Sequence, residues 1–271
     1  MRLPAVLAIA GTDSSGGAGI PADIKTIAAH HLYAECAITA VTAQDTCGVR
    51  DVQPIDARIV GSQVDACFED IPPAAVKVGM VGSAETCSAI ARALLAHHAK
   101  NVVLDPVMVA TSGTALADDA TVDALARELF PLASVVTPNI PEAERLADVR
   151  ITDEDGAEAA ADAIARLTPG AVLVKGGHAA RGADDLLRLA SGEMVWLRAR
   201  RIEAQGTHGT GCTLSSAIAC GLACGRPLED AIRVAKAYLE GALAAGLDLG
   251  HGNGPVDHMW ELPLPLGSCA R

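Results

Sequence analysis

Short apolar runs alternate along the chain with longer stretches in which apolar positions recur every three or four residues. LPAVLAIAG precedes ADIKTIAAHHL, ECAITAVTAQ precedes ARIVGSQVDACFEDI, and AVKVGMVG precedes ETCSAIARALLAHH. The alternation continues through NVVLDPVM, a helical pattern from about Asp118 to Phe130, SVVTPN, PEAERLAD, a helix ending near Thr168, and AVLVKGGH. The apolar runs have the length of buried strands and the intervening stretches the length of crossover helices. The pattern therefore predicts right-handed βαβ units and a mostly parallel sheet. DDLLRLA and MVWLRARRI then flank Ser191, Gly192 and Glu193, which predicts a hairpin at the sheet edge; two more helices follow. No internal repeat or linker interrupts the pattern, so residues 1–271 read as one α/β domain, a central mainly parallel sheet flanked by helices with a small edge hairpin.

Half of the residues are apolar, yet Phe, Trp and Tyr contribute only two each. The core must be built from Ala, Val, Leu and Ile, as sheets buried under helices on both faces usually are. With 33 acidic against 21 basic residues the net charge is −12, which disfavours nucleic acid and acidic membrane surfaces and points to a small-molecule partner. No apolar segment reaches the roughly 20 residues of a membrane-spanning helix. The eight cysteines, at 36, 47, 67, 87, 212, 220, 224 and 269, form no C-x-x-C pair, and several sit in apolar runs as small hydrophobes. That usage suits a reducing cytoplasm. Ala8, Ile9 and Ala10 imitate a signal-peptidase site, but Pro4 interrupts the short apolar region and cleavage would delete the first strand.

Candidate chemistry gathers where strands end. In THGTGCTLSSAI, residues 207–218, Gly209, Thr210 and Gly211 lead into helical spacing with Cys212 in the first turn. A helix N-terminus there would bind an anion through backbone amides and the helix dipole; an ordinary capped helix start fits the stretch as well. The first loop, GTDSSGGAGIPADIKT at 11–26, fails as a P-loop because Gly17 and Ala18 stand where Lys and Ser or Thr are required. Gly17, Gly19 and Ala22 match a dinucleotide fingerprint weakly, since five residues separate Gly11 from Gly17 and no acid closes the second strand. The third reading is a loop closing around a small polar ring, with Asp23 facing the pocket from the first helical turn or lying at the surface. Gln44 ends the second strand, where its amide offers a donor and an acceptor together, the pattern an amine beside a ring nitrogen would match; a solvated loop amide is the alternative. Asp105 precedes Pro106 at a strand end, where acids meet metal or water. Asn139 and Glu142, three apart at a helix start, suit either an Mg²⁺ site or a capping box. Lys175 closes an apolar strand where a cation could reach a phosphate, one of only five lysines in the chain.

Taken together, AGTDSSGGAGIPADIKT, TAVTAQDTCGV, KVGMVG, VVLDPVMVATSG, TPNIPEAE, VLVKGGH, THGTGCTLSSAIA and GHGNGPVDH resemble, in order and over nearly the whole chain, the hydroxymethylpyrimidine/phosphomethylpyrimidine kinases of thiamin biosynthesis in the ribokinase superfamily. The resemblance implies a ribokinase-like fold, a homodimer, and ATP-dependent phosphorylation of 4-amino-5-hydroxymethyl-2-methylpyrimidine and then of its monophosphate. It places pyrimidine contacts on Gly11, Asp23 and Gln44 with Met80 and Val107 as apolar walls. It places the ATP and Mg²⁺ side on Asp105, Asn139, Glu142, Lys175 and Thr207, and the anion hole on Gly209, Thr210, Gly211 and Cys212. A monovalent-cation requirement stays open. Thr12 and Pro21 depart from the more usual Ser and Gln, which bears on the shape of the pyrimidine pocket; Pro21 suits a first helical turn.

Sugar kinases of the superfamily carry Asp where Cys212 stands. A phosphate acceptor is already mostly dianionic at neutral pH and needs no base. Cys212 then reads as a compromise, a neutral thiol beside the phosphate whose pKa the helix N-terminus would lower enough to serve the alcohol as a modest base. A small spacer among backbone amides is the alternative. Two rival functions remain: a pyridoxal or pyridoxine kinase on the same scaffold, and a vitamer-binding protein without turnover, against which Asn139, Glu142, Lys175 and the intact GTGC argue.

Overall fold

The structure is a computed structural model that describes residues 3–109, 113, 115–176, 184–199, 202, 204 and 206–262. The residues after Gly176 in VLVKGGH, the Ala-Thr-Ser of VATSG, Arg200 and Arg201, and Cys269 lie outside it. Six parallel strands run β2 (Tyr33–Ile38), β1 (Ala5–Ala10), β5 (Ala75–Val78), β6 (Val102–Leu104), β7 (Val135–Val136) and β8 (Ala171–Val174) across the sheet. The antiparallel pair β9 (Asp185–Arg188) and β10 (Met194–Leu197) extends it beyond β8, with Gly192 at positive φ in the connecting turn. This is the expected edge hairpin.

Every residue of β1 is buried, and the strand alternates between two cores. Leu7 and Ile9 face one core with residues of α2 (Ala57–Asp70), α3 (Ala84–Ala96), α5 (Ile140–Ala147) and α6 (Glu154–Ile164). Val6, Ala8 and Ala10 face another with α1 (Gly19–Ala29), α7 (Thr210–Ala223) and α8 (Leu228–Ala245). Both faces are apolar because helices cover both. The helical pattern from Asp118 begins as α4 (Asp119–Ala124) and continues as a π-helical turn, Leu125–Leu129, and a 3₁₀ turn, Phe130–Leu132.

The expectation of one strand running from Glu35 to Gln44 is corrected. The main-sheet strand ends at Ile38; Thr39 donates its hydroxyl to the Met80 carbonyl at 2.7 Å, and the chain re-forms as β3 (Ala40–Asp45). This strand pairs antiparallel with β4 (Gly48–Pro54) in a separate two-stranded sheet. Its burial alternates, Ala40 and Thr42 in and Val41 and Ala43 out, as in a sheet with one solvated face. Gln44 therefore sits on a small hairpin reaching over the strand ends.

α7 and α8 pack closely through Gly221, where an added Cβ would lie 2.7 Å from the Cβ of Ala231. On helix propensity alone Gly221→Ala would gain up to about 1 kcal/mol. We expect the opposite sign, a loss of roughly 1–3 kcal/mol from overpacking, read as a lower urea midpoint at unchanged m-value. A raised midpoint would show that the two helices are free to separate.

Candidate active site

Helix α7 begins at Gly209, whose φ of +82° is left-handed. A Cβ there would overlap the Gly17 carbonyl in the first loop, so only glycine permits the approach. Helix geometry leaves the Gly211 and Cys212 amides without an intrahelical acceptor, while Thr213 N–H already bonds the Gly209 carbonyl at 2.8 Å. A Cβ on Gly211 would come within 3.2 Å of Asp105 Oδ2 and 3.4 Å of Lys175 Nζ. The amide-lined terminus thus opens directly onto the charged ends of β6 and β8.

Lys175 donates to Asp105 Oδ1 at 2.6 Å, and Asp105 also accepts from Thr137 Oγ1 at 3.0 Å. Burial would depress the lysine, but the Asp105 and Glu142 carboxylates raise its pKa and keep it charged. Asn139 and Glu142 form the capping box: Asn139 Oδ1 accepts from Glu142 N–H at 2.9 Å, and Glu142 Oε2 accepts from Asn139 N–H at 2.8 Å. Glu142 Oε1 also accepts from Met108 N–H at 3.4 Å. Of the two readings of this pair, the cap is formed. The side chain is nevertheless placed among charges, and burial together with Asp105 pushes its pKa up to about 7, against the pull of Lys175. Among the described residues no three His, Cys, Asp or Glu side chains are grouped to hold a metal by themselves. Thr207 is exposed and pairs with Asn253, donating N–H to its Oδ1 at 2.8 Å.

Asp23 departs from expectation. It lies in the second turn of α1, fully buried, and does not face the pocket. Both its oxygens accept from Lys77 Nζ at 2.8 Å, and Oδ1 accepts from Ser216 Oγ at 2.8 Å. Lys77 is equally buried; burial alone would depress it, but Asp23 beside it raises its pKa. Cys212, four residues before Ser216 on the same face of α7, lies over this pair. Burial pushes its thiol up to about 11, only partly offset by Lys77, with Asp23 and Asp105 adding to the rise. The lowering expected from the helix N-terminus is opposed by desolvation and by two carboxylates, which push the thiol up.

On the opposite side Gly11 ends β1 against Met80, whose sulfur would lie 3.0 Å from a Cβ at Gly11. Val107 is half-buried just past Asp105. Gln44 is anchored by its backbone, whose N–H and carbonyl both bond Ser14 Oγ, at 2.8 and 2.6 Å. Its side chain reaches His208, which is buried and 2.7 Å from Asp13 Oδ2. A cleft of about 310 Å³ opens there, lined by Gln44, Cys47, His208 and Asn253 among others.

Residues 13–257 match the family model described as phosphomethylpyrimidine kinase. The chain belongs to the phosphomethylpyrimidine kinase family. It is 51% identical over 256 residues to a hydroxymethylpyrimidine/phosphomethylpyrimidine kinase of Rhizobium meliloti, covering 93% of this chain and 96% of that one. A protein of the same name from Streptomyces coelicolor is 46% identical over 259 residues, 96% of each chain. The crystal structure of phosphomethylpyrimidine kinase from Clostridium difficile superposes with a TM-score of 0.78 at 40% identity, over 88% of this chain and 98% of that one. A pyridoxal kinase from Staphylococcus aureus in complex with AMP-PCP and pyridoxal superposes at 0.87 with 32% identity, over 96% and 95%. The family's fold, a mostly parallel sheet with flanking helices and a small antiparallel hairpin, is the one seen here.

Sequence reasoning passed over Lys77, Asp13 and His208. Lys77 carried a signal, a lone lysine inside the buried run AVKV. Asp13 and His208 are 195 positions apart and had none.

The raised pKa of Glu142 has a stability consequence. Its folded value of about 7 exceeds the ordinary 4.5, so the buried charge penalises folding increasingly as pH rises from about 5 through 7 and fully above. Glu142→Gln keeps a capping-box acceptor and removes the charge. In metal-free buffer we expect the variant's stability to gain on the native chain by on the order of 1–3 kcal/mol between pH 5 and 8, measured by urea unfolding. A pH-independent difference would contradict the shift.

Proposed function

We propose that the chain transfers the terminal phosphoryl group of ATP to the hydroxymethyl group of 4-amino-5-hydroxymethyl-2-methylpyrimidine, and then to the monophosphate so formed. The observation that carries this reading is the amide-lined start of α7 beside Lys175, with a protonated thiol at Cys212 where a carboxylate would repel a phosphate acceptor. At 4–5 Å such repulsion is on the order of 1–4 kcal/mol for effective dielectrics between water and a protein surface. Family membership and the names borne by the relatives support the same reaction.

In this reading the Gly211 and Cys212 amides, with Gly209 and Thr210 shaping the turn, hold the phosphoryl group in transit, where prearranged dipoles stabilise developing charge without reorganisation. Lys175 supplies a fixed cation to the donor phosphates. Gln44 reads the ring edge, Met80 and Val107 form its apolar walls, and Gly11 leaves room for the ring. Asp23 acts from beneath, seating Lys77 and α7 and touching no ligand. Thr207 and Asn139 border the nucleotide side.

The donor set fits Mg²⁺, which takes one or two carboxylates and keeps waters and phosphates as its other ligands. Asp105 and Glu142 are two such carboxylates, close enough that Asp105 raises the cost of ionising Glu142. Held by these two carboxylates, such an ion would supply positive charge against the phosphates. The reading extends to a homodimer, as the family resemblance implies, working in the reducing cytoplasm that the cysteine usage suits; among the described residues no helix is long and apolar enough to cross a membrane.

A second reading is favoured by one observation. Solved pyridoxal kinases superpose with TM-scores of 0.87–0.88 at 31–33% identity, above the 0.78 of the phosphomethylpyrimidine kinase. The deciding experiment measures ADP release with the pyrimidine, its monophosphate and pyridoxal as separate acceptors. We expect turnover on both pyrimidines and kcat/KM at least about tenfold lower on pyridoxal, the discrimination that one lost ring-edge hydrogen bond supplies. Preference for pyridoxal would establish the second reading, and no turnover on any acceptor would overturn both.

A further inference from the structure

The side chain of Gln44 lies between two groups whose hydrogens can be counted. Gln44 Nε2 is 3.3 Å from His208 Nε2, and Gln44 Oε1 is 3.5 Å from the Thr42 hydroxyl. The two ends of an amide are nearly the same shape, so bonding rather than shape decides which end faces which neighbour.

On the His208 side the constraint is Asp13. This buried carboxylate accepts from Ser15 N–H at 2.9 Å, Ser15 Oγ at 2.8 Å and Ala18 N–H at 2.8 Å. These bonds and His208 hold its pKa below the usual carboxylate range despite burial, and an ionised carboxylate only accepts. His208 Nε2, 2.7 Å from Asp13 Oδ2, must therefore carry a hydrogen and donate. A ring nitrogen bearing hydrogen has no lone pair left to accept from an amide NH₂. That one hydrogen is already given to Asp13, so the Gln44 carbonyl oxygen faces His208 as the second, weaker acceptor of a shared N–H, whereas the NH₂ would meet the hydrogen head-on.

On the other side the constraint is Thr42. Its hydroxyl has one hydrogen, which it donates to the Thr12 carbonyl at 2.9 Å; Thr42 N–H donates to Thr12 Oγ1 at 3.0 Å. Toward Gln44 the hydroxyl can then only accept, and the group that suits it is the NH₂. Both neighbours, counted separately, call for the same orientation of the amide, end for end from the nitrogen-to-nitrogen contact.

We propose that Asp13 and His208 are positioning residues that fix the hydrogen-bonding sense of Gln44, carbonyl toward His208 and NH₂ toward Thr42, and thereby select the ring edge the pocket accepts. The oxygen keeps one lone pair and the NH₂ one hydrogen for the ligand. An aminopyrimidine edge, an exocyclic N–H beside a ring-nitrogen acceptor, matches that pair. Because His208 immediately precedes Gly209, the same residue ties the ring-edge reader to the anion loop, and its own backbone is held by the Gly254 carbonyl at 3.1 Å. The proposal rests on the reading that Gln44 contacts the pyrimidine.

The test is steady-state kinetics of pyrimidine phosphorylation for the native chain, Gln44→Ala, His208→Leu, His208→Gln, and the Gln44→Ala/His208→Leu double variant. We expect His208→Leu to raise the pyrimidine KM by roughly tenfold, about one hydrogen bond's worth, with ATP KM within about twofold of native. His208→Gln, which retains an N–H donor, should recover most of the loss. The double variant should be no worse than its worse single, because His208 acts through an amide that is gone. Multiplying losses in the double variant, or an equal rise in ATP KM, would overturn the relay and leave His208 as a brace for the anion loop. An unchanged pyrimidine KM in Gln44→Ala would instead refute Gln44 as the ring contact, and the relay with it. If His208→Leu does not fold, Asp13→Asn alone and with Gln44→Ala makes the same comparison, with the same outcomes deciding.

Discussion

The buried ion pair of Lys77 and Asp23 is the interaction on which the site depends. Neither side chain is exposed, and each would be costly to bury alone. Together they are held at 2.8 Å, with Ser216 on the carboxylate. The pair joins β5 to α1 and α7, so the first loop, the central sheet and the anion-binding terminus keep a common register. Removing one partner would strand the other, a loss of roughly 3–5 kcal/mol in comparable buried pairs. It also sets the field at Cys212, which lies one turn from Ser216 with a desolvated cation and anion beneath it.

Around that pair the charges nearly cancel. Lys77 is neutralised by Asp23 and Lys175 by Asp105, while Glu142, with a pKa of about 7, is partly ionised at neutral pH. In a chain of net charge −12, both of these lysines are thus matched by a carboxylate. On the proposed reading, attraction for anions would come from the amides at the start of α7 and from a cation accompanying the nucleotide. Gly209 permits the turn, and Gly211 lets Asp105 and Lys175 come close to the helix start. On the proposed reading position 212 would be sensitive, since one more fixed negative charge there would add to the repulsion of a phosphate.

Much of the architecture was legible because parallel strands buried on both faces leave apolar runs, and crossover helices leave a different period. The edge hairpin was legible for the same reason, with Gly192 marking its turn. The break after Ile38 was not: ECAITAVTAQ holds no Gly, Pro, Asn or Asp to mark a turn, and the chain leaves the main sheet where Thr39 bonds the distant Met80 carbonyl. At the site, local signals sufficed for the amide-lined loop, Lys175 and the Asn139–Glu142 pair, whose capping box is a short-range pattern. They misled for Asp23, whose partner Lys77 is 54 positions away, and for Cys212, whose thiol is raised by burial and by Asp23 and Asp105. A pKa set by desolvation depends on what covers a group, and neighbouring residues in the chain do not reveal that.

On the proposed reading, position 212 must be neutral and its thiol is not a base. The most direct measurement compares Cys212→Ala and Cys212→Asp in the two phosphorylation steps, each as kcat/KM for its own acceptor. The account predicts that alanine leaves both steps within about tenfold of native, and that aspartate depresses phosphorylation of the monophosphate at least about tenfold more than that of the alcohol, corresponding to 1.4 kcal/mol of added repulsion in the transition state. An aspartate variant that phosphorylates the monophosphate as well as the alcohol, or an alanine variant whose alcohol step alone falls by a hundredfold or more, would contradict it.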